Sequence, residues 1–440
     1  MKQTLLMILL TAIGAIGAFA VEPFVGVAVY YLFAVLRPQF LWEWALPQGI
    51  GWSSYVAWPT LVATVWFAMS GSSQDEPNRK RFTAVHKAFF AFGLWTCLTY
   101  VTAIDKNVAW PWLLEYLKLF VMFGVAAYVL REMRHVWWIY SLCTVALLYI
   151  AYEVNYLYFV NGRVDIYNRG YGGLDNNGAG LMIAMGVPLA LNAWEGTRKW
   201  WRWAFLVSVP LLLHAVMMSY SRGAMVSLVA ATPLLFMRSN RKRSFSVALL
   251  LLALTVPYLA GQEIRDRFFS TQDYVTDESA NSRFDSWDAA IAIANDYPVF
   301  GVGIRNSNLL SYQYGADMEG RTIHSQYFQI MADTGYPGLG FYLIALGALW
   351  WSLRRTRRLL RREPSEESRL GLSMLNGIEG ALFVFCFGAM FLSLEVFELP
   401  YIAALIGAQV GLLATKMATV TPVKSVDAAR AASRFAVPAA

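Results

Sequence analysis

The residues best suited to chemistry lie in one polar stretch, Gly261 to Gly335, set between long apolar runs. Its basic residues are Arg265, Arg267, Arg283, Arg305 and Arg321, with no lysine, and His324 follows near its end. A guanidinium presents a planar fork that pairs two oxygens at once, which suits a diphosphate held in one orientation. A histidine three residues after an arginine adds a group that exchanges a proton near neutral pH. His86 and His135 stand beside basic clusters and His214 lies inside an apolar run, where a packed, hydrogen-bonded ring is the plain reading. The plain reading of His324, an ordinary loop histidine, is balanced by its neighbours Arg321, Ser325 and Gln326.

Two further places bear on the same chemistry. Arg222 opens an apolar run in Ser219-Tyr220-Ser221-Arg222-Gly223. It either snorkels to the interface or serves an anion. The segment 161–180 carries Asn161, Arg163, Asp165, Asn168, Arg169, several glycines and then Asp175-Asn176-Asn177-Gly178. These donors suit sugar or phosphate contact, and a connecting loop would have a similar composition. No phosphate-cradling glycine loop, dinucleotide pattern, HExxH or Cys/His metal set occurs. Asp273, Asp277 and Glu278 could hold a metal, but nothing specific points to them. Neither a metal nor a cofactor is expected.

Positioning these residues requires a membrane. Of 440 residues 57% are apolar and 15% charged, whereas soluble domains carry roughly 25% charged residues. Apolar stretches near the ~20 residues that cross a bilayer recur along the chain. They fall near 3–20, 24–36, 54–70, 84–104, 111–130, 136–159, 177–194, 203–218, 222–237, 244–260, 336–353, 373–393 and 398–416. The 17 Trp and 23 Tyr suit two interfacial belts. The net charge of +7 sits in short clusters between the runs: Arg79-Lys80-Arg81, Arg131 with Arg134, Arg198-Lys199 with Arg202, Arg238 to Arg243, and Arg354 to Arg369. Such clusters mark the cytoplasmic side and give no reason to expect nucleic acid. Cys97, Cys143 and Cys386 lie within apolar runs, with no spacing for a disulfide framework or a metal.

The expected fold is therefore an all-α polytopic membrane protein with about 12 crossings. Residues 1–260 form an N-terminal bundle, 261–335 one large outer loop containing short helices, 336–416 the C-terminal helices, and 417–440 a disordered cytoplasmic tail. The first run leads into more membrane sequence without an A-x-A site and reads as an anchor. A cytoplasmic Lys2 requires an odd number of crossings before residue 37, so the start must be irregular: a helix broken at Pro23, or two half-helices that do not each span. Within the outer loop, 279–295 reads as an amphipathic helix capped at Asn281 or Ser282. Phe284, Trp287, Ala290, Ile291 and Ala294 would share one face of it. Arg283 in its first turn opposes the helix dipole, which calls for an anionic ligand or a partner such as Asp285 or Asp288. A second short helix would carry Arg321, His324 and Phe328 before Gly335-Tyr336-Pro337 opens the next crossing.

At this point several segments resemble a known family. Arg283-Phe-Asp-Ser-Trp287, Asp296-Tyr-Pro-Val-Phe-Gly-Val-Gly303, His324-Ser-Gln326 and Asp333-Thr-Gly-Tyr-Pro-Gly338 resemble the signature region of the O-antigen ligase and O-antigen polymerase superfamily. Ser221-Arg222-Gly223 and Asp175-Asn176-Asn177 resemble its motifs in the expected order, and the likeness covers roughly 165–400. Pro23-Phe-Val-Gly26 and Leu36-Arg-Pro-Gln39 resemble a subgroup of O-glycosylation ligases.

The resemblance implies glycan transfer at the periplasmic face of a Gram-negative inner membrane. The donor would be a polysaccharide on undecaprenyl diphosphate and the acceptor a lipid A–core sugar hydroxyl. It carries the family's arginines and histidine onto Arg222, Arg283 and His324, the expected catalytic set. Arg169, Arg265, Arg305, Arg321 and Asn177 are further candidates for diphosphate or glycan binding. The large loop would then be periplasmic and the chemistry metal-independent and inverting, with His324 as general base. An O-antigen polymerase or a protein O-oligosaccharyltransferase would use the same donor. A transporter of lipid-linked sugar is the alternative from another class.

Overall fold

A computed structural model describes residues 2–47, 49–70, 82–247, 250, 278–362, 364–394 and 397–434. Arg265, Arg267, most of the expected crossing at 244–260 and the cluster Arg79–Arg81 lie outside the described residues.

The chain is helical, and among the described residues its one β-type pairing is an isolated bridge between Tyr171 and Leu174. The main helices are α1 (Lys2–Ala20), α2 (Pro23–Leu36), α3 (Trp52–Met69), α4 (Ala84–Leu98), α5 (Lys106–Val129), α6 (Met133–Asn161) and α7 (Asn176–Gly196). They continue with α8 (Arg202–Met218), α9 (Arg222–Arg238), α10 (Glu278–Asp296), α11 (Gln326–Leu360), α12 (Glu366–Gly388) and α13 (Glu398–Arg434). Six of the described helices are long and apolar enough to cross a bilayer: α1, α5, α6, α11, α12 and the Glu398–Ala418 part of α13. The architecture is thus that of a helical membrane protein. Exposed Trp58, Trp66, Trp138 and Trp351 on the bundle surface have the amphipathic rings expected of residues facing lipid near an interface.

α7 and α12 form the buried spine. A Cβ added at Gly380 would lie 2.7 Å from Pro188 Cβ, and Gly377 and Gly388 similarly leave room for Tyr140 and Leu181. Small residues permit this close approach, which dispersion rewards where lipid offers no competing hydrophobic force. At one end of the bundle Glu379 is 1% exposed and is held by two arginines. Arg238 of α9 donates through Nε (2.6 Å) and Nη2 (2.9 Å), and Arg357 of α11 donates through Nη2 (2.5 Å). The triad ties α9, α11 and α12 together at the end opposite Arg222.

The N-terminus departs from expectation. α1 and α2 are an antiparallel pair in which Glu22, in extended backbone, precedes Pro23 at the first turn of α2, a position where proline's missing N–H costs nothing. Thr4 donates to the Ala45 carbonyl (2.8 Å), while Glu22 lies 3.6 Å from His135 at the other end. Lys2 therefore lies at the end of the bundle opposite Arg131 and Arg134, and the parity problem that came from placing it with them disappears. At the far C-terminus α13 runs on to Arg434, past Lys416. The alanine-rich stretch 427–432 has the helix propensity for this.

The polar stretch is folded against the bundle in two parts. α10 buries Ser286, Ala289, Ala290, Ile293 and Ala294, a face rotated from the expected one, and leaves Phe284 and Ile291 exposed. Asn281 and Ser282 are inside this helix and do not cap it. Ala290, Ile293, Val302, Ile323 and Ala332 make a small core of their own. Complete burial of each isoleucine or valine there contributes roughly 1.5–3 kcal/mol.

The second part, from Pro298 to Ser307, is stitched to a break in α11. Gly335 has φ +73, and a Cβ there would meet the Pro298 carbonyl oxygen at 2.8 Å. Val302 and Gly303 donate to the Ala332 and Asp333 carbonyls, at 3.1 and 2.9 Å. The buried Asp333 carboxylate accepts from the Arg305 N–H (2.8 Å), the Ser307 N–H (3.0 Å) and Gln329 Nε2 (2.9 Å). Asn306 fastens the same turn to the α4–α5 corner, accepting from the Asp105 N–H at 2.7 Å.

Candidate functional site

The site is assembled from four places. Asp175 caps α7 by accepting the Gly178 N–H (2.8 Å), and Asn176 donates to the Ser219 carbonyl (3.0 Å). This brings the start of α7 beside the start of α9, where Tyr220 takes a left-handed backbone conformation (φ +53) and Ser221 accepts the Ala224 N–H as cap. Arg222 is the first residue of α9. A helix N-terminus carries partial positive charge, so Arg222 adds to a field that favours anions.

His324 is held from both sides of its backbone. Its N–H donates to Ser286 Oγ (3.3 Å), and its carbonyl accepts from the Trp287 indole N–H (3.0 Å). Both partners are on α10, one and a half turns or less from Arg283, whose own carbonyl accepts from Ser286 Oγ (2.8 Å). The expected short helix through Arg321 and His324 is absent. Residues 321–325 are non-helical, because the backbone groups of His324 are used by α10 and Gly320 upstream has φ +68. α11 then starts at Gln326.

The segment between α12 and α13 closes the ring. Gln326 donates its N–H to the Ala389 carbonyl (2.9 Å) and accepts the Leu394 N–H through its side chain (2.6 Å). Trp287 packs on Phe328 and Phe391, with ring centroids 5.5 and 6.2 Å apart. A Cβ on Gly223 would be 4.0 Å from Phe391 Cβ, and one on Gly178 would be 2.9 Å from Leu394. Residues of α7, α9, α10 and the start of α11 thus meet around one aromatic support.

The electrostatics agree with the geometry. Burial lowers the His324 pKa to about 4, Arg283 and then Arg321 push in the same direction, and Asp175 and Asp317 oppose them. The imidazole is therefore neutral at neutral pH, with an acceptor nitrogen available.

The predicted arginines are divided by the fold. Arg283 acts on His324 directly. Arg222 is next in the chain to Gly223, which lies against Phe391, but like Arg305 it is not among the charges acting on His324. Arg321 is close to His324, but its fork is occupied by Asp317, one bond measuring 2.6 Å and a second shorter. That pair raises the Arg321 pKa and lowers that of Asp317. Arg305 is directed elsewhere: its guanidinium carbon lies 4.5 Å from the Trp112 ring of α5, and it is not among the charges acting on His324. Arg169 is exposed, 3.5 Å from Glu43. Asn177 Nδ2 is 3.3 Å from Asp175 Oδ2 and faces the same helix start.

Reading the sequence alone missed the supporting residues. Trp287 looked like one more apolar position on α10, yet its indole N–H orients His324. Its occurrence four residues after Arg283 was the available signal. Phe391 and Asp317 carried none, since only the packing sets Phe391 against Trp287 and brings the Asp317 charge to bear on His324. Among the described residues no group of three or more His, Cys, Asp or Glu side chains converges as a metal set.

A family model described as O-antigen ligase matches residues 207–343. The match spans Arg222, Arg283, Arg305, Arg321 and His324, and it supports the likeness to the O-antigen ligase and polymerase superfamily. It takes in neither the start of α7 nor residues 389–394. No curated protein matches the chain.

Proposed function

From this family likeness we propose that the chain is a membrane glycosyltransferase of the O-antigen ligase type, moving a polysaccharide from undecaprenyl diphosphate to a lipid A–core sugar hydroxyl. The reading places the site at the periplasmic face of a Gram-negative inner membrane, with about 12 crossings and the basic clusters on the cytoplasmic side. The observation that carries it is the attachment of His324 to α10 by both backbone groups, beside Arg283.

In this scheme Arg222 and Arg283 bind the diphosphate and neutralise the charge that grows on it as the bond to the anomeric carbon breaks. His324 takes the proton from the acceptor hydroxyl, whose oxygen attacks the same carbon from the opposite side, so the configuration inverts. The diphosphate is a good leaving group, and the scheme calls for no nucleotide, redox cofactor or metal. Asn177 and Arg169 are assigned to glycan contact, and Arg321 acts by holding Asp317.

The test is reconstitution of the purified protein with undecaprenyl-diphosphate-linked polysaccharide and one acceptor at a time: lipid A–core, a second lipid-linked glycan, or a Ser/Thr-containing protein. Glycosylated lipid A–core is the expected product, abolished in His324→Ala and Arg222→Ala. Product only on the second or third acceptor would reassign the protein as a polymerase or a protein oligosaccharyltransferase. Movement of donor across liposomes without a covalent product would replace the enzyme reading with a transporter. Full activity in both variants would remove these residues from the mechanism.

A further inference from the structure

At the end of the bundle opposite His324, a cleft of about 560 Å³ opens between α6, the α7–α8 connection and the start of α12. Its mouth carries Arg134, Arg198, Lys199 and Arg369, contributed by three separate parts of the chain, against the single carboxylate of Glu366. That carboxylate is mostly exposed and only 3.4 Å from Arg369. Arg198 and Arg369 are close enough to repel each other. Arg369 also donates to the Gly196 carbonyl, so its guanidinium is fixed at the mouth. Below the charges the wall is apolar, formed by Leu142, Val145, Leu148, Ala204 and Phe205. Trp138 and Val145 face outward, 45% and 49% exposed, and Trp200 and Trp203 stand beside the mouth at 86% and 51%.

A net positive mouth on an apolar slot, ringed by tryptophans, has the layered polarity of one bilayer leaflet. Positive residues that only signalled topology would have no need of a slot beneath them. They would also spread apart, since like charges held together destabilise the fold unless an anion joins them. The end of α11, with exposed Arg354, Arg355 and Arg358, provides the contrast within the same molecule: a basic cluster at the same end of the bundle whose residues are not among those lining this cleft.

We propose that this cleft binds an anionic phospholipid, with its phosphate among Arg134, Arg198, Lys199 and Arg369 and an acyl chain along Leu142, Val145 and Phe205. The lipid joins α6 to α8 and α12, and so braces the base of the α7–α12 spine. Its binding does not depend on the catalytic assignment, because the cleft and His324 are at opposite ends.

The experiment is native mass spectrometry of the full-length protein, released from nanodiscs containing phosphatidylglycerol or phosphatidylethanolamine with identical acyl chains. Retention of one phosphatidylglycerol and not phosphatidylethanolamine is expected. The double variant Arg198→Gln, Lys199→Gln should weaken it roughly 20- to 30-fold, from about five-fold for each basic residue near an anionic surface. Ala204→Trp fills the slot without changing charge and should also abolish retention. The control Arg354→Gln, Arg355→Gln removes the same charge away from the cleft and should leave retention unchanged. Equal losses in the control and in the Arg198/Lys199 variant, retention unaffected by Ala204→Trp, or equal retention of the two lipids would each overturn the proposal. Transferase assays on the same variants keep this result separate from the functional reading above.

Discussion

A transfer assay at limiting donor, run across pH on the wild type and on Arg283→Gln, bears most directly on the role given to His324. Under that condition kcat/KM reports groups of the free protein. Burial, then Arg283 and Arg321, hold the imidazole at about 4, against an ordinary value of 6.5. A general base must be unprotonated. At a pH of about 5.5, roughly 97% of a group with a pKa of about 4 is neutral, compared with roughly 9% of one at 6.5. Wild-type kcat/KM for the donor at that pH should therefore remain near its plateau, about ten-fold above the value an unperturbed histidine would allow.

Arg283→Gln removes the first charged cause of the lowering. The imidazole then binds protons more tightly, so the acid limb moves up towards 6.5, and the plateau falls by roughly 100-fold with the loss of a contact to the developing charge. Saturating donor should act in the same direction as the substitution, because the diphosphate brings negative charge to the guanidinium that depresses the base. The limb in kcat should thus lie above the limb in kcat/KM. A diphosphate diester has no group of its own titrating in this range, so the limb belongs to the protein. An acid limb for the wild type at or above 6.5, or a downward movement in Arg283→Gln, would refute the reasoning.

Two other expectations concern the support of the site. Trp287→Phe keeps the ring against Phe328 and Phe391 but removes the N–H that holds the His324 carbonyl. It should cost about 1 kcal/mol of stability, yet lower kcat more than ten-fold by loosening the base, and parallel small losses in both would deny His324 its dependence on α10. Glu379→Gln leaves the buried Arg357 and the half-buried Arg238 without a full counter-charge and should destabilise the protein by about 3 kcal/mol, read as a lower unfolding temperature in detergent; an unchanged temperature would show that the triad does not brace the bundle.

Legibility differed between parts of the molecule for physical reasons. Crossings with continuous apolar composition, such as α5, α6 and α12, follow from the requirement that lipid-exposed backbone satisfy its own hydrogen bonds. The N-terminal pair was misread because the positive-inside rule was applied to the single charge of Lys2, while the side it occupies is set by packing of α1 on α2 and by Thr4 on Ala45. The expected apolar face of α10 holds at Ala290 and Ala294, but Ser286 and Ala289 are buried in place of Phe284 and Ile291, because their small side chains fit the bundle more closely. The short helix expected at Arg321–His324 gave way to hydrogen bonds with residues 37 and 38 positions away, a competition no local propensity records.

Composition and apolar periodicity were sufficient to define a helical membrane protein, and residue types and their near neighbours singled out His324, Arg283 and Arg222 as candidates for its chemistry. Those features depend on residue type and on near neighbours, which a chain carries with it before it folds. Tertiary structure alone decided which arginines share a site. Arg283 and Arg321 were brought to His324, Arg321 was then paired with Asp317, Arg305 was turned to Trp112, and Arg169 was left at an exposed rim. The reason is that charge–charge and hydrogen-bond energies fall off within a few ångströms, and only packing of α10 against the starts of α7, α9 and α11 sets distances on that scale.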